Sequence, residues 1–287
     1  MPGQRWYTPY LFALPALALF GVFFVWPAVT AIQLSFMKYD VVSDPVVVGF
    51  DNFTRLAGDS RFWTATGNSV LFLIGLFPLL VVVPLLLAVL VNQQLPGIRT
   101  FRMLYYLPVV TSMVAVAVAW EYVFNLQGVL NWILTGFGLL DQPIQYLLDP
   151  FWALPALILV EGWKSMGFYM MIYLAGLQTI DSSLYEAARV DGASAWHRLR
   201  RITVPLMVPY IAVAFTMEML DAMQAFTSVY VMTKGGPQDA TLTLGYYIWS
   251  AGFEHYEMGY ASAVGLVLWV VMIAMAVLNY RLSREKA

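Results

Sequence analysis

The 287-residue chain contains no cysteine. That absence excludes a disulfide framework, a thiolate zinc site, an iron–sulfur cluster and a cysteine nucleophile. Charge is nearly as scarce, at 11% of residues, where a soluble domain carries about a quarter. So few charges cannot coat a globule of this size. Strand-period alternation is missing too, which removes a membrane barrel. Its two histidines, His197 and His255, lie far apart in sequence. No His-Glu-x-x-His or Gly-x-Ser-x-Gly run occurs, and no phosphate loop, so this chain does not bind ATP in the P-loop manner. The net charge of −2 points to no partner and away from nucleic acid. What is present is apolar: 61% of residues are hydrophobic and the mean hydropathy is +0.71. These figures exclude disorder and define an all-α integral membrane protein.

The uncharged stretches outline the architecture. No Asp, Glu, Lys or Arg occurs from Trp6 to Met37, from Phe62 to Ile98, or from Met258 to Tyr280. Each can hold the roughly 20 apolar residues that cross about 30 Å of hydrocarbon. Three further spans carry isolated charges, giving six transmembrane helices near 10–36, 67–92, 103–124, 151–177, 204–231 and 260–280. All belong to a single transmembrane domain, 1–287. The first span is too long for a signal h-region and no small-residue cleavage site follows it, so it reads as a mature helix. Pro15, Pro27, Pro78, Pro84 and Pro155 fall inside spans, where neighbouring helices can satisfy the freed carbonyls.

Charge asymmetry orients the bundle. With both termini on one face, that face carries ten cations: Arg5, Arg99, Arg102, Arg189, Arg198, Arg200, Arg201, Arg281, Arg284 and Lys286. The other face has four, Lys38, Arg55, Arg61 and Lys234, while Lys164 falls within a span. The positive-inside bias places both termini in the cytoplasm.

The internal loop at about 178–203 is built as two short helices. Ser183-Leu184-Tyr185-Glu186 matches a capping box, Asp191-Gly192 supplies a turn, and Trp196, Leu199 and Ile202 recur at helical spacing. Pro205 suits the first turn of the next span. On physics alone this is a helix–turn–helix on the cytoplasmic face, or an interfacial amphipathic segment whose arginines meet anionic lipid.

The run Glu186-Ala187-Ala188-Arg189-Val190-Asp191-Gly192-Ala193, ten residues before Thr203-Val204-Pro205-Leu206, resembles the EAA loop of ABC-importer permeases. Its Asp-Gly-Ala form resembles the branch serving binding-protein-dependent sugar importers. Trp163-Lys164, Ala175-Gly176-Leu177-Gln178, Thr233-Lys234-Gly235-Gly236-Pro237 with Thr241, Gly128 with Asn131, and more loosely Asn68, fit that branch. The end, Tyr280 to Ala287, lacks a glycine-rich tail and is similar to the maltose-permease F-like or glycerol-3-phosphate-permease A-like subunit type.

The resemblance implies the ABC type I importer permease fold in a bacterial or archaeal cytoplasmic membrane. It implies four kinds of partner: a second permease subunit, two nucleotide-binding ATPase subunits, an extracytoplasmic substrate-binding protein and the lipid bilayer. ATP and magnesium would sit on the ATPases, with no cofactor, catalytic or metal residue on this chain. Within the loop it implies that Glu186, Ala187, Ala188, Asp191, Gly192 and Pro205 couple the spans to an ATPase groove. The external stretch about 233–259 would meet the binding protein.

A few charges lie within spans. Glu161 and Lys164 are i,i+3 and can pair on one helix face. Glu218, Asp221, Gln224 and Ser228 recur every three or four residues, a polar stripe that faces a cavity or a partner helix. For a carbohydrate path, Asp221 and Gln224 are the foremost candidates, joined by Glu218, Trp163 and Tyr169. The rival is a self-contained ion-coupled carrier, for which the intramembrane acids would be ion sites, and a third option is an intramembrane enzyme. The particular sugar or polyol is not written in this chain.

Overall fold

A computed structural model describes residues 8–93 and 97–284. Arg5, Lys286 and the end of the C-terminal tail lie outside the described residues. Five helices are long and apolar enough to cross a bilayer: Tyr10–Ser35, Ser60–Val91, Met113–Gly136, Ala195–Met232 and Met258–Ser283. Ala153–Leu177 has 25 residues, about 37 Å at 1.5 Å per residue. Glu161, Trp163 and Lys164 near its middle make it more polar than those five.

The expected third span, 103–124, is not one helix. Ile98–Tyr106 passes into a 3₁₀ turn, Leu107–Val110, and a new helix, Met113–Phe124, starts after Ser112 takes an extended conformation. Pro108 is the local cause, since its ring and missing N–H disfavour continuing the α-helix.

Prolines leave a second mark. Wide i→i+5 turns occupy Gly21–Val25, Pro78–Val82 and Leu199–Thr203, next to Pro27, to Pro78 and Pro84, and to Pro205. Such a bulge moves the carbonyl that a proline cannot bond out of register, so the helix bends without ending. Pro205 therefore lies inside a continuous helix rather than opening one.

The described residues divide into two units. Those up to Asp59 group with Ile248–Trp269. Here the helix ending at Ser35 runs into a hairpin, Met37–Lys38 paired antiparallel with Val46–Val47. Asn52 Nδ2 donates to the Ser35 and Met37 carbonyls, both at 2.9 Å. Arg55 grips Glu257 in a bidentate pair at 3.0 and 2.8 Å and stacks on Tyr260.

Ser60–Tyr247 group with the residues from Val270 onward. The centre of this unit is Ala153–Leu177, whose Leu157, Val160, Met170 and Tyr173 are fully buried, with Phe72 and Met207 from neighbouring helices. Asn279 Nδ2 donates to the Ala212 carbonyl at 2.9 Å and to Thr216 Oγ1 at 2.7 Å, tying the last helix to Val204–Met223. Polar side chains hold the connecting turns. Asn68 Nδ2 donates to the Asp239 and Leu242 carbonyls at 2.8 and 3.0 Å, and Ser69 Oγ accepts from the Leu244 N–H at 2.9 Å. Asn131 bonds Ile144 through both N–H and carbonyl, and the Asn125 carbonyl as well.

Candidate functional site

Two places in the second unit carry the candidate residues. The first is the loop between Leu177 and Val204. A helix, Ser182–Val190, is capped by Asp181, whose side chain accepts from the Ser183 N–H at 2.9 Å. That bond holds the Asp181 carboxyl below its ordinary pKa. The capping box expected at Ser183 and Glu186 therefore does not form. The aspartate two residues earlier takes the orphan N–H and leaves Glu186 exposed.

At the other end the chain reverses at Gly192, with φ +74. The Gly192 N–H reaches the Arg189 carbonyl at 3.1 Å and the Ala193 N–H reaches the Ala188 carbonyl at 2.8 Å. This pair of bonds is a Schellman closure, which requires a left-handed residue where glycine stands. Asp191 contributes its backbone N–H, bonded to the Ala187 carbonyl at 3.0 Å. Among the described residues its side chain makes no hydrogen bond.

The second short helix starts at Ala195, with Ser194 capping the His197 N–H at 3.2 Å, and runs through the wide turn into the following span. The expected separate helix 193–202 is thus the N-terminal end of that span. Tyr185 and Thr203 bond hydroxyl to hydroxyl at 3.0 Å, and Arg198 donates to the Ala193 carbonyl at 2.8 Å. The loop is consequently braced onto the helix it leads into. Glu186, Ala187, Val190 and Trp196 are exposed, with Ala188 half-buried behind them. Val190 and Trp196 present 88% and 67% of their surface, an apolar pair left uncovered by the chain itself. Pro205 sits just past this surface and is also exposed.

The second place is a cavity of about 360 Å³ within the same unit. Glu161, Lys164 and Tyr169 line it from Ala153–Leu177, Glu218 and Asp221 from the end of Val204–Met223, and Gln224 from just beyond that end. The helix breaks at this point. Gln224 to Phe226 are not helical, and a short helix, Thr227–Met232, follows with Thr227 and Ser228 on the cavity wall.

The break has a seat. Thr243 Oγ1 donates to the Ala225 carbonyl at 2.6 Å. Gly245 packs so closely that a Cβ there would lie 2.7 and 2.8 Å from the Gln224 and Ala225 carbonyl oxygens. Backbone left unsatisfied at membrane depth costs several kcal/mol, so an unwound stretch is tolerated only where protein or a cavity covers it.

Of the five candidate path residues, four meet in this cavity: Glu218, Asp221, Gln224 and Tyr169. Trp163 does not. It faces a different, largely apolar cleft with Tyr105 and Pro108, and stacks edge-on against Trp120 at 5.5 Å. The cause is helical register, since Trp163 points about 100° away from its neighbour Lys164. The expected Glu161–Lys164 ion pair is also not made. Both residues line the cavity. Phe226, Ser228 and Lys164 were legible as polar or aromatic neighbours. The seat at Thr243 and Gly245 had no signal in the sequence, because it joins residues about twenty positions apart through backbone carbonyls.

Glu218 is the most unusual of the group. It is fully buried, and neither carboxylate oxygen has a hydrogen-bond partner. An ionised side chain at mid-membrane costs about 2.5–3.5 kcal/mol on an insertion scale, so such residues line water-filled or functional cavities.

Apolar helices around a polar cavity with an unwound helix at its wall, plus a braced loop exposing an apolar face, define a multi-pass membrane transport protein. Residues 5–286 match the family model of the binding-protein-dependent transport system inner membrane component, and the chain belongs to that family. It is 34% identical to the lactose transport system permease protein LacF of Rhizobium radiobacter, over 99% of this chain and 97% of that protein. Its fold is similar to that of a bacterial ABC transporter that imports the acidic polysaccharide alginate. The TM-score is 0.83 at 28% identity, covering 96% of this chain and 94% of the other. A second structure, of a bacterial alginate ABC transporter in complex with an alginate pentasaccharide-bound periplasmic protein, matches with a TM-score of 0.81. The identity is again 28%, over 98% of both chains.

Proposed function

We propose that this chain is one of two permease subunits of an ATP-driven importer of a carbohydrate or related polyol or glycerol-phosphate solute. Membership of the family and the likeness to lactose and alginate permeases support the carbohydrate class. In this reading six helices cross a bacterial or archaeal cytoplasmic membrane, with Ala153–Leu177 as the fourth and both termini inside. The second permease completes the path. ATP and magnesium sit on two separate ATPase subunits, and an extracytoplasmic binding protein delivers the solute, as the periplasmic protein in the alginate complex suggests.

The observation that carries the reading is the braced loop. Its Schellman closure, its Tyr185–Thr203 bond and its unbroken run into the next helix make it a rigid arm on the span that ends at the cavity. An ATPase that grips the exposed face at Glu186, Ala187, Val190 and Trp196 would move this span as its dimer closes. The same movement would open or close the cavity at Glu218, Asp221 and Gln224. Hydrolysis needs nothing from this chain beyond that grip.

Site-specific crosslinking tests it. A cysteine introduced at Ala187 or Trp196 of the functional complex should crosslink to an ATPase subunit and block uptake, with reduction restoring it. Efficient crosslinking of either position to lipid or to no subunit, with uptake intact, would contradict the coupling role.

A further inference from the structure

A second cavity lies one helical turn along from the first. The short helix Thr227–Met232 contributes Thr227 and Ser228 to the central cavity and Met232 to another, of about 290 Å³. Ser228 and Met232 are four residues apart, so they share a helix face and lie about 6 Å apart along its axis. Both cavities belong to the second unit. On the proposed topology the helix Met113–Phe124 ends outside. The second cavity, lined by Glu121 and Phe124 from that end, is then the outer of the two.

Three polar residues line it: Glu121, Asn125 and Gln145. Among the described residues the Glu121 and Gln145 side chains make no hydrogen bond or ion pair. Asn125 uses only its Oδ1, which accepts from the Gln127 N–H at 3.1 Å. None of the three is sealed off. Glu121 is half-buried with accessible carboxylate oxygens, and Asn125 and Gln145 are exposed. The turn that carries Gln145 is braced. Asn131 bonds the Ile144 N–H and carbonyl, both at 2.9 Å, and the Leu148 N–H donates to the Gln145 carbonyl at 3.0 Å. The buried Tyr146 ring packs on Phe124 with centroids 5.6 Å apart.

The free groups are one acceptor carboxylate and two carboxamides that still offer N–H donors, with a further acceptor on Gln145. Phe124, Leu148 and Met232 supply apolar wall. No Lys, Arg or His lines this cavity, so an anion finds no counter-charge there. Among the described residues no group of acids and histidines could hold a metal ion. A neutral saccharide matches the set. Its hydroxyls donate to the carboxylate and accept from the amides, and its C–H faces rest on the apolar wall. The volume is just under the roughly 300–1,000 Å³ of ligand pockets, which limits the occupant to a short saccharide or one end of a longer one.

We propose that this outer cavity is a second saccharide subsite, filled before the central cavity as the solute enters. The proposal rests on the reading of the central cavity as the solute path, and it divides that path into two stations on one short helix.

The test uses both permeases and the ATPases in proteoliposomes, with binding protein and ATP, and radiolabelled lactose, maltose and trehalose as probes. A diazirine derivative of the sugar that accumulates is then photolysed on the complex and the labelled peptides are mapped. The expected result is label in two places, within 121–148 and within 221–228. Excess unlabelled sugar should suppress both, and glucuronate or ammonium chloride neither. Leu148→Trp, which adds bulk at an exposed residue of the outer cavity, should remove the outer label and lower the inner one. Binding-protein-stimulated ATPase activity should persist in that variant. Gln145→Ala guards against misfolding in it, and should weaken sugar competition at the outer place by about two- to tenfold, as a lost hydrogen bond does. Gln224→Ala should lower the inner label and leave the outer one.

Label confined to the inner place, an outer label unchanged in both Leu148→Trp and Gln145→Ala, or an outer label displaced as well by glucuronate or ammonium chloride as by the sugar would overturn the proposal. An inner label unchanged when the outer one is gone would overturn the order of filling. If a sugar accumulates and labels only the inner place, the path reading stands and the second subsite falls. If none of the three accumulates, or the transported sugar labels neither place, both fall.

Discussion

Replacing Gly192 tests whether the loop's rigidity matters for its action. The backbone there has φ +74, and a Cβ built on it would meet nothing within 4 Å. Any penalty is therefore conformational and not steric. A residue with a Cβ in the left-handed region costs about 1–2 kcal/mol, asparagine less, and a β-branched residue at positive φ is a true outlier. A change of one or two kcal/mol shifts an equilibrium by a factor of roughly 5–30. The closed Schellman turn should open by that factor in Gly192→Ala, by less in Gly192→Asn and by more in Gly192→Val. Hydrogen exchange at the Gly192 and Ala193 amides reads the opening directly, because both are bonded only while the turn is closed. ATP-driven uptake by the reconstituted complex should fall in the same order: glycine, asparagine, alanine, valine. Val at this position with wild-type exchange and wild-type uptake would refute the reasoning. Faster exchange with unchanged uptake would show that the turn is not part of the coupling.

Three further outcomes follow from contacts elsewhere. Gly245→Ala places a Cβ against the Gln224 and Ala225 carbonyls and should destabilise the protein by about 1–3 kcal/mol, as overpacking does, read as a lower melting midpoint in detergent. Asn131→Ala strips partners from the Ile144 N–H and carbonyl and the Asn125 carbonyl, about 1–3 kcal/mol for buried groups left unpaired. Limited proteolysis between 125 and 150 should then speed up. Gln224→Ala should raise the KM for solute uptake at least several-fold, whereas Trp163→Phe, on a different cleft, should leave it unchanged; a reversed pattern would move the path to the other side of the helix.

The helices and the two candidate places were legible because composition writes them. Charge-free stretches mark Tyr10–Ser35, Ser60–Val91 and Met258–Ser283 to within about two helical turns, and the three-to-four spacing of Glu218, Asp221 and Gln224 gathers them on one wall. Local backbone chemistry was less visible. A serine followed three residues later by a glutamate looks like a capping box, yet Asp181 reaches the orphan N–H from two positions before it. Proline reads as a boundary, but at Pro205 a wide turn lets the helix run on. The break at 224–226 was hidden because its support, Thr243 and Gly245, comes from another segment through main-chain carbonyls. Asn68, Asn131 and Thr241 show the converse. In the sequence they are parts of a pattern, and in the structure their side chains bond the carbonyls of connecting turns.

The most direct test of the central claim is solute uptake in proteoliposomes. The chain is reconstituted with its partner permease and ATPases and supplied with the binding protein and radiolabelled carbohydrate, with ATP inside. The account predicts accumulation that requires both ATP and binding protein and that is lost in Gly192→Val. Accumulation by this chain alone, driven by a proton or sodium gradient and indifferent to ATP, would contradict it.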